Sequence, residues 1–584
     1  IIIATSDGLF KTTDFFTTSL QVLSANMTSV KYSQSNPDIV YAGGSSGQFF
    51  RSDDSGDSFS IIDDFGTEQV RIAVSRQPGS DNIAVTSGVF LQTSTDNGLT
   101  FTPKDLPESN MVVEFEPGSE TVLNVGNFEV HRSDNFGDSF YAVSHWLGDG
   151  GLPFIHVDQR NVFVNPLSDD EVYFCNDGGV FRYDNGTNSF ANLSTDMIIT
   201  QYYDIAVSAS EAEVLGGGSQ DNGNIFRSSD GSWDAYAQTG DGMGQDIDPD
   251  YANRRYWSYQ YGSLRRWEDG SNTNIAPAGE GGDGAWETPF KLDPSNSNRI
   301  LVGYSSVYAS DNYGDTWEEL GDPVTAGANL EQLAIAPSNP DKVYATQNRN
   351  LYVKEPGSSE WTLALTPVFT TITDLEVDPL DEDIVYISYG GYFDGKKVYK
   401  SEDSGENWTN ITAGLPNLPV MSLELYYDEP GGVFVGTYGA VYYLDDMSEE
   451  WRKYGCLPHT SVSDIEIQYA TDRIFAGTHG RGIFEAPIEI YVSSIDDNSE
   501  LNQEKLSLYP NPAINSITIK SSELKLGEIE MIVTDMTGRV IEATYSIDIN
   551  GDLNVDCSGL RQGNYLIKIT DDTLNRYVLR FSKL

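Results

Sequence analysis

The chain has 584 residues, with 88 acidic and 35 basic side chains, a formal net charge of −53 and five histidines. At roughly 100–200 residues per domain this is several domains' worth of chain, and with 39% hydrophobic and 12% aromatic residues it is too rich for an acidic disordered polymer. The balance excludes nucleic acid as a partner, because binding it needs basic side chains to displace phosphate counterions, and it disfavours an anionic membrane surface.

The chain opens on Ile1-Ile2-Ile3-Ala4-Thr5, which reads as the middle of a β-strand, so a longer protein with further N-terminal residues is expected. No apolar run approaches the roughly 18 residues of a membrane helix, and no membrane insertion is expected. Cys175, Cys456 and Cys557 fit neither a zinc spacing nor a disulfide framework and read as small buried hydrophobes.

One octet recurs along the chain. Its five clear copies are Ser52–Phe59 (with Asp54 and Gly56), Ser94–Phe101 (Asp96, Gly98), Ser133–Phe140 (Gly137), Ser310–Trp317 (Gly314) and Ser401–Trp408 (Asp403, Gly405). Degenerate relatives stand near Thr12, Tyr183, Ser228, Lys354 and Asp445. A second phrase precedes it, as in Asn36-Pro37-Asp38-Ile39-Val40-Tyr41 and Asp383-Ile384-Val385-Tyr386. Counting such phrases gives about 11 units of roughly 39–49 residues and a partial one at residues 1–25, each read as four short alternating strands. A four-stranded repeat of that length is a propeller blade. In the octet the Asp accepts backbone N–H groups, the Gly supplies a positive φ and the aromatic wedges between neighbouring sheets.

Glycine-rich acidic phrases cluster between residues 148 and 284. Asp177 and the Asp221-Asn222 pair follow a second strand, whereas Asp158, Asp241 and Asp283 precede a first strand. In a four-stranded blade those two loop types emerge on one rim. The six residues are therefore candidate ligands for calcium or for sugar hydroxyls, set against the plainer reading that Asp-Gly and Asn-Gly make tight turns. No cofactor is required by the sequence, and calcium is the one these loops suit. Catalytic residues are not singled out, because a glycosidase needs two carboxyls at set spacing and the acid excess makes chance pairs inevitable. Tyr256, Trp257, Tyr259, Tyr261 and Trp267 are candidates for stacking on sugars, set against the favoured reading that strand cores of propellers are equally aromatic.

After Ile490 the octets stop. A polar linker spans 489–504, and from Lys505 onward nine basic and ten acidic residues give a net charge of −1, so nearly all the excess lies in residues 1–488. Much of the excess reads as a by-product of Asp-rich turns.

The octets resemble the Asp-box (BNR) repeat of sialidases, two-propeller xyloglucanases and sortilin-like receptors. That resemblance implies an all-β, multi-bladed propeller region over 1–488 with the octets structural, two propellers with the first blades missing being favoured over one ten-bladed sortilin-like ring. The segment 505–584 carries Tyr509-Pro510-Asn511-Pro512, then Asp535, Gly538 and Arg539, then Leu560, Gly563 and Tyr565. In that order they resemble the type A C-terminal sorting domain of the type IX secretion system. The resemblance implies an immunoglobulin-like sandwich, recognition by the translocon and its outer-membrane shuttle, and a cargo secreted or held at the surface of a Gram-negative bacterium. Three activities are consistent with this: binding an extracellular glycan or surface protein, hydrolysing a polysaccharide between two propellers, or binding peptides as sortilin-like rings do.

Overall fold

The computed structural model describes residues 1–488 and 506–583 except 166, 168–170, 238–239, 281–282, 324–327, 430, 447, 449, 522–529, 536–539, 542, 549–551 and 571–575. The linker 489–504, Gly538 and Arg539 thus lie outside the described residues. The chain divides into two compact units, Ile1–Met197 and Ile198–Leu584. Among the described residues helix is limited to the short turn Gln260–Gly262; everything else that is regular is antiparallel strand.

The octet explains why a blade turns where it does. In the first clear copy Ser52 Oγ accepts the Gly56 N–H at 2.8 Å and donates to Asp54 Oδ1 at 2.7 Å, while Asp54 takes the Ser58 N–H at 2.9 Å and its hydroxyl at 2.6 Å. Asp96 and Asp403 repeat the pattern, and Asn135 and Asn312 reproduce it with an amide oxygen. Two successive residues of each copy are left-handed, as in Ser55 (φ 59°) and Gly56 (φ 84°). The positive φ of Gly56 favours glycine there, and a Cβ would stand 2.2 Å from the Ile2 Cδ1 methyl. The phrase preceding the octet is its docking partner: Ser55 donates its N–H to Asp38 O and Ser404 to Asp383 O, both at 2.8 Å.

The aromatic at the octet's end rivets a blade to the one before it. Trp317 donates its indole N–H to Ile275 O at 2.7 Å, and Trp361, Trp408 and Trp451 do the same to Leu320, Leu365 and Ile411. Each seam between blades has its own core. Tyr344 and Leu351, for example, pack against Leu375, Val385 and Ile387 of the next blade.

In the N-terminal unit five sheets follow in order, the first of three strands and four of four strands, and their innermost strands Ile2–Thr5, Met27–Tyr32, Arg71–Val74, Val112–Phe115 and Asn161–Val164 adjoin in sequence. Residues 198–488 build seven blades. Their innermost strands are Tyr202–Val207 (blade 1), Gly242–Ile247 (2), Phe290–Asp293 (3), Gln332–Ile335 (4), Ile372–Val377 (5), Val420–Tyr426 (6) and Val462–Gln468 (7). Neighbours adjoin from 1 to 7, and strand 7 also adjoins strand 1, so the ring is closed. This is a seven-bladed propeller.

Among the described residues the last blade has three strands. The seam is closed by side chains: Ile205 donates its N–H to Asp464 Oδ2 and Gln468 Nε2 donates to Ser208 O, both at 2.9 Å. The chain enters and leaves the ring at one place, where the Gly482 N–H meets Thr200 O at 3.0 Å.

The final segment forms two four-stranded sheets that share one core, with Ile517, Ile519 and Val555 from one facing Val533, Ile567, Ile569 and Phe581 from the other. Asn511 Oδ1 accepts the Ser582 N–H and the Tyr565 hydroxyl donates to Arg561 O. Two sequence expectations need correcting. Cys456 is exposed and Cys175 half-buried, leaving Cys557 as the buried thiol. Tyr256 and Trp257 are fully buried in blade cores and are unavailable to sugars, whereas Tyr261 is exposed.

Candidate functional site

The acidic loops singled out from the sequence fall into both units. In the N-terminal unit Asp158 lies in a turn with φ 62°, and Asp177 is gripped by Arg160, whose Nε donates to Oδ1 at 2.7 Å. Arg160 thereby supplies Asp177 with a cation of its own. In the C-terminal unit the Asp221 N–H donates to Asp241 Oδ1 at 2.8 Å, Asp241 Oδ2 accepts from Gln260, and Asn222 caps the Gln220 carbonyl. Asp283 is exposed, and its carbonyl accepts from Asn329. The structure therefore gives Asp241 a loop-bracing role and brings Asp221 against it.

A stronger concentration of charge lies on the innermost strands of the ring. Each strand alternates apolar residues, which enter the seams, with polar ones that line a central channel. An upper tier holds Asp204, Asp374 and Asp464 on blades 1, 5 and 7. A lower tier holds Asp246, Glu376, Glu424 and Glu466 on blades 2, 5, 6 and 7, together with Lys291 on blade 3. Glu287 hangs from the loop ahead of blade 3 into the same space. The channel has two chambers, one of about 500 Å³ and one of about 250 Å³. Lys291, Glu376, Glu424 and Glu466 line both and so form the neck between them. Tyr202, Tyr203, Tyr438, Ser461 and His479 line the larger chamber, with the Tyr203 and His479 rings 6.1 Å apart.

Part of this acid set holds the wall together. The innermost strands of neighbouring blades do not pair, which leaves N–H groups in need of acceptors. Asp374 Oδ2 accepts the Leu423 N–H of the next blade at 2.7 Å, Asp464 takes Ile205 and Asp246 takes Leu292. The rest face one another across the channel. Burial lifts Asp246 to about 6 against the pull of Lys291. Glu287 rises to about 7 through burial and then the charges of Asp464 and Asp374, and burial brings Glu376 and Asp464 to about 7. Glu424 and Glu466 are pushed well above the carboxylate range by burial, then by Glu466 on Glu424 and by Asp464 on Glu466. Burial alone would lower Lys291, yet Glu376, Asp374 and Asp204 hold it well above its usual value. Lys291 Nζ sits 3.9 Å from Glu376 Oε1. The corresponding strands of the N-terminal unit carry Lys31, Arg71 and Glu114, with Lys31 paired to Glu114 at 3.6 Å.

These channel residues were not singled out from the sequence. A signal was present: Asp374-Leu375-Glu376 and Asp464-Ile465-Glu466 share one acid–apolar–acid pattern, each on a first strand. Taken one blade at a time it reads as an ordinary exposed strand, and only closure of the ring turns separate strands into one lining.

Residues 507–580 match the family of secretion-system C-terminal sorting domains. Export across the outer membrane, to the cell surface or the medium, follows from that domain, as does engagement of the type IX secretion machinery. No curated protein matches the chain by sequence. Among solved structures, the GH74 xyloglucanase from Xanthomonas campestris aligns at 16% identity over 84% of this chain and 81% of that one, with a TM-score of 0.57. It shares the β-propeller fold. An ancestral GH74 enzyme aligns at 13% identity over 85% and 96%, with a TM-score of 0.40, and YCF48 from Cyanidioschyzon merolae at 12% over 50% and 96%, with a TM-score of 0.39.

Proposed function

We propose that this exported protein is a binding protein of the cell surface or surroundings, and that the ring of residues 198–488 captures an extracellular glycan or protein without cleaving it. The observation that carries this reading is the channel itself. It is a chamber of about 500 Å³ with an aromatic collar of Tyr203, Tyr438 and His479 above a belt of carboxylates. Carboxylates that share a few protons and one lysine suit attraction of a ligand, and three of them already serve the wall. Incubating the full chain with a panel of plant and microbial glycans and surface proteins tests it. Retention without new reducing ends supports binding, and release of reducing ends overturns it.

A second reading, hydrolysis of a polysaccharide, draws support from Glu287. Its carboxyl, raised to about 7, is poised to give up a proton near neutral pH as a general acid must, beside the exposed Trp286. The fold likeness to a xyloglucanase is in keeping with it. Glu287→Gln would then abolish reducing-end release while leaving retention intact.

A further inference from the structure

We propose that the channel of the ring takes an alkylammonium ligand, the charged end of an organic polycation, which seats between Glu424 and Glu466 beside Ser422. This rests on the reading above that the ring is the binding element, and it names the chemistry of what is bound.

Four observations carry it. Glu376, Glu424 and Glu466 occupy the same register position on three successive blades, two residues past Asp374, Ser422 and Asp464, so three carboxylates line one arc of wall at one level. The protein itself places an alkylammonium at that level, Lys291, 3.9 Å from Glu376, and among the described residues neither Glu424 nor Glu466 forms an ion pair. Ser422 lines the larger chamber from the position held by aspartate on blades 5 and 7. It is 2% exposed, and its hydroxyl has no hydrogen-bond partner in the protein. Asp374 and Asp464 reach the next blade from that position, and a serine is too short to do so, which leaves an acceptor over the acidic arc. A buried hydroxyl of this kind is costly unless something satisfies it.

The spacing selects the kind of cation. Among the described residues no three channel carboxylates bring ligand atoms within 4.8 Å of one another, which is too open a cage for one bare calcium ion. An ammonium carries three donors on a flexible alkyl stem and spans wider gaps. A second chamber of about 250 Å³ beyond the neck gives an extended cation room to continue. Free polyamines and lysyl side chains share this chemistry.

Isothermal titration calorimetry on the full chain, with spermine, with a trilysine peptide and with calcium alone, tests the proposal. Saturable 1:1 binding of spermine or trilysine is expected, weakened at least tenfold by Glu424→Gln/Glu466→Gln and severalfold by Ser422→Ala. Tighter binding of spermine assigns a free polyamine, and tighter binding of trilysine assigns a polypeptide. The surface variant Asp311→Asn/Glu318→Gln/Glu360→Gln removes more charge and should change affinity less than twofold. An equal loss there would show diffuse attraction to an acidic protein and overturn the proposal, as would calcium binding that depends on Glu424 and Glu466. The Gln variants relieve repulsion and should fold, which melting curves check. Lys291→Gln supplies an independent arm: removing the resident ammonium should tighten binding, whereas a role confined to structure predicts weakening. If no cation binds but a panel ligand is still retained by the ring, the binding reading stands and this inference falls.

Discussion

The carboxylates of the octet turns and those of the ring channel belong to the same blades and share one charge, yet their surroundings drive them in opposite directions. In the octets each carboxylate meets donors. The Ser58 and Ser52 hydroxyls and the Ser58 N–H hold Asp54 far below the usual range, and against some burial the Thr100 and Ser94 donors bring Asp96 down to about 2. In the channel the carboxylates meet one another, and burial followed by like charge takes Glu287 to about 7. A net charge of −53 therefore conceals two populations, one that stabilises the blades as anions and one that stabilises the ring only while it shares protons or cations.

The largest effect that would break this contrast comes from Lys291. Replacing it with Met removes the cation that four acidic neighbours surround, and the melting temperature should fall by roughly 5–10 °C at pH 8 but by only about 2 °C at pH 5. Equal losses at both pH values would mean that Lys291 acts by packing alone.

Next comes the wild-type profile. A carboxyl whose folded pKa is raised contributes stability that is complete below its unfolded value, about 4, and is lost as pH rises through about 7 for Glu287, Glu376 and Asp464. Asp96 works with the opposite sign: its contribution is present above about 4 and is lost as pH falls toward about 2. Maximum stability is thus expected between about pH 4 and 6, and a thermal-melt series that stays flat from pH 5 to 9 would contradict the channel's part.

A smaller effect sharpens the comparison. Asp403→Ala should lower the melting temperature by a few degrees, whereas Asp403→Asn should be nearly silent, because Asn135 and Asn312 already do this work elsewhere. In the channel, Glu424→Gln should raise the melting temperature at pH 8. The same chemical change then has opposite tendencies in the two regions, and differential scanning calorimetry reads both. A modest effect is expected from Trp317→Phe, which keeps the ring but loses the bond to Ile275, about 1 kcal/mol in a denaturant titration.

These two regions also mark what the sequence could reveal. The octet is local: eight consecutive residues contain the Ser, the Asp or Asn, the left-handed pair and the aromatic, so copies such as Ser52–Phe59 announce the blade turn and its docking phrase. Sorting-domain residues such as Tyr509 and Pro510 are legible for the same reason. The channel is assembled from single residues about one blade apart, Glu376, Glu424 and Glu466 among them, and nothing local distinguishes them from polar residues on a solvated strand. Much of the acidity reads from the sequence as a by-product of turns, and the channel accounts for a further share. Ser422 was invisible for a further reason, since its interest lies in being where blades 5 and 7 have aspartate.

The seam at Thr200 and Gly482 has a mechanical consequence. Because the chain arrives and departs there, a force applied to the two ends of residues 198–488 is loaded on one joint, while the other six seams are spared. Among the described residues that joint is held by the Asp464 and Gln468 side-chain bonds and the Gly482–Thr200 backbone bond. Pulled apart, the ring would part at this hinge and unroll blade by blade, seventh from first, like a clasp opened before its bracelet.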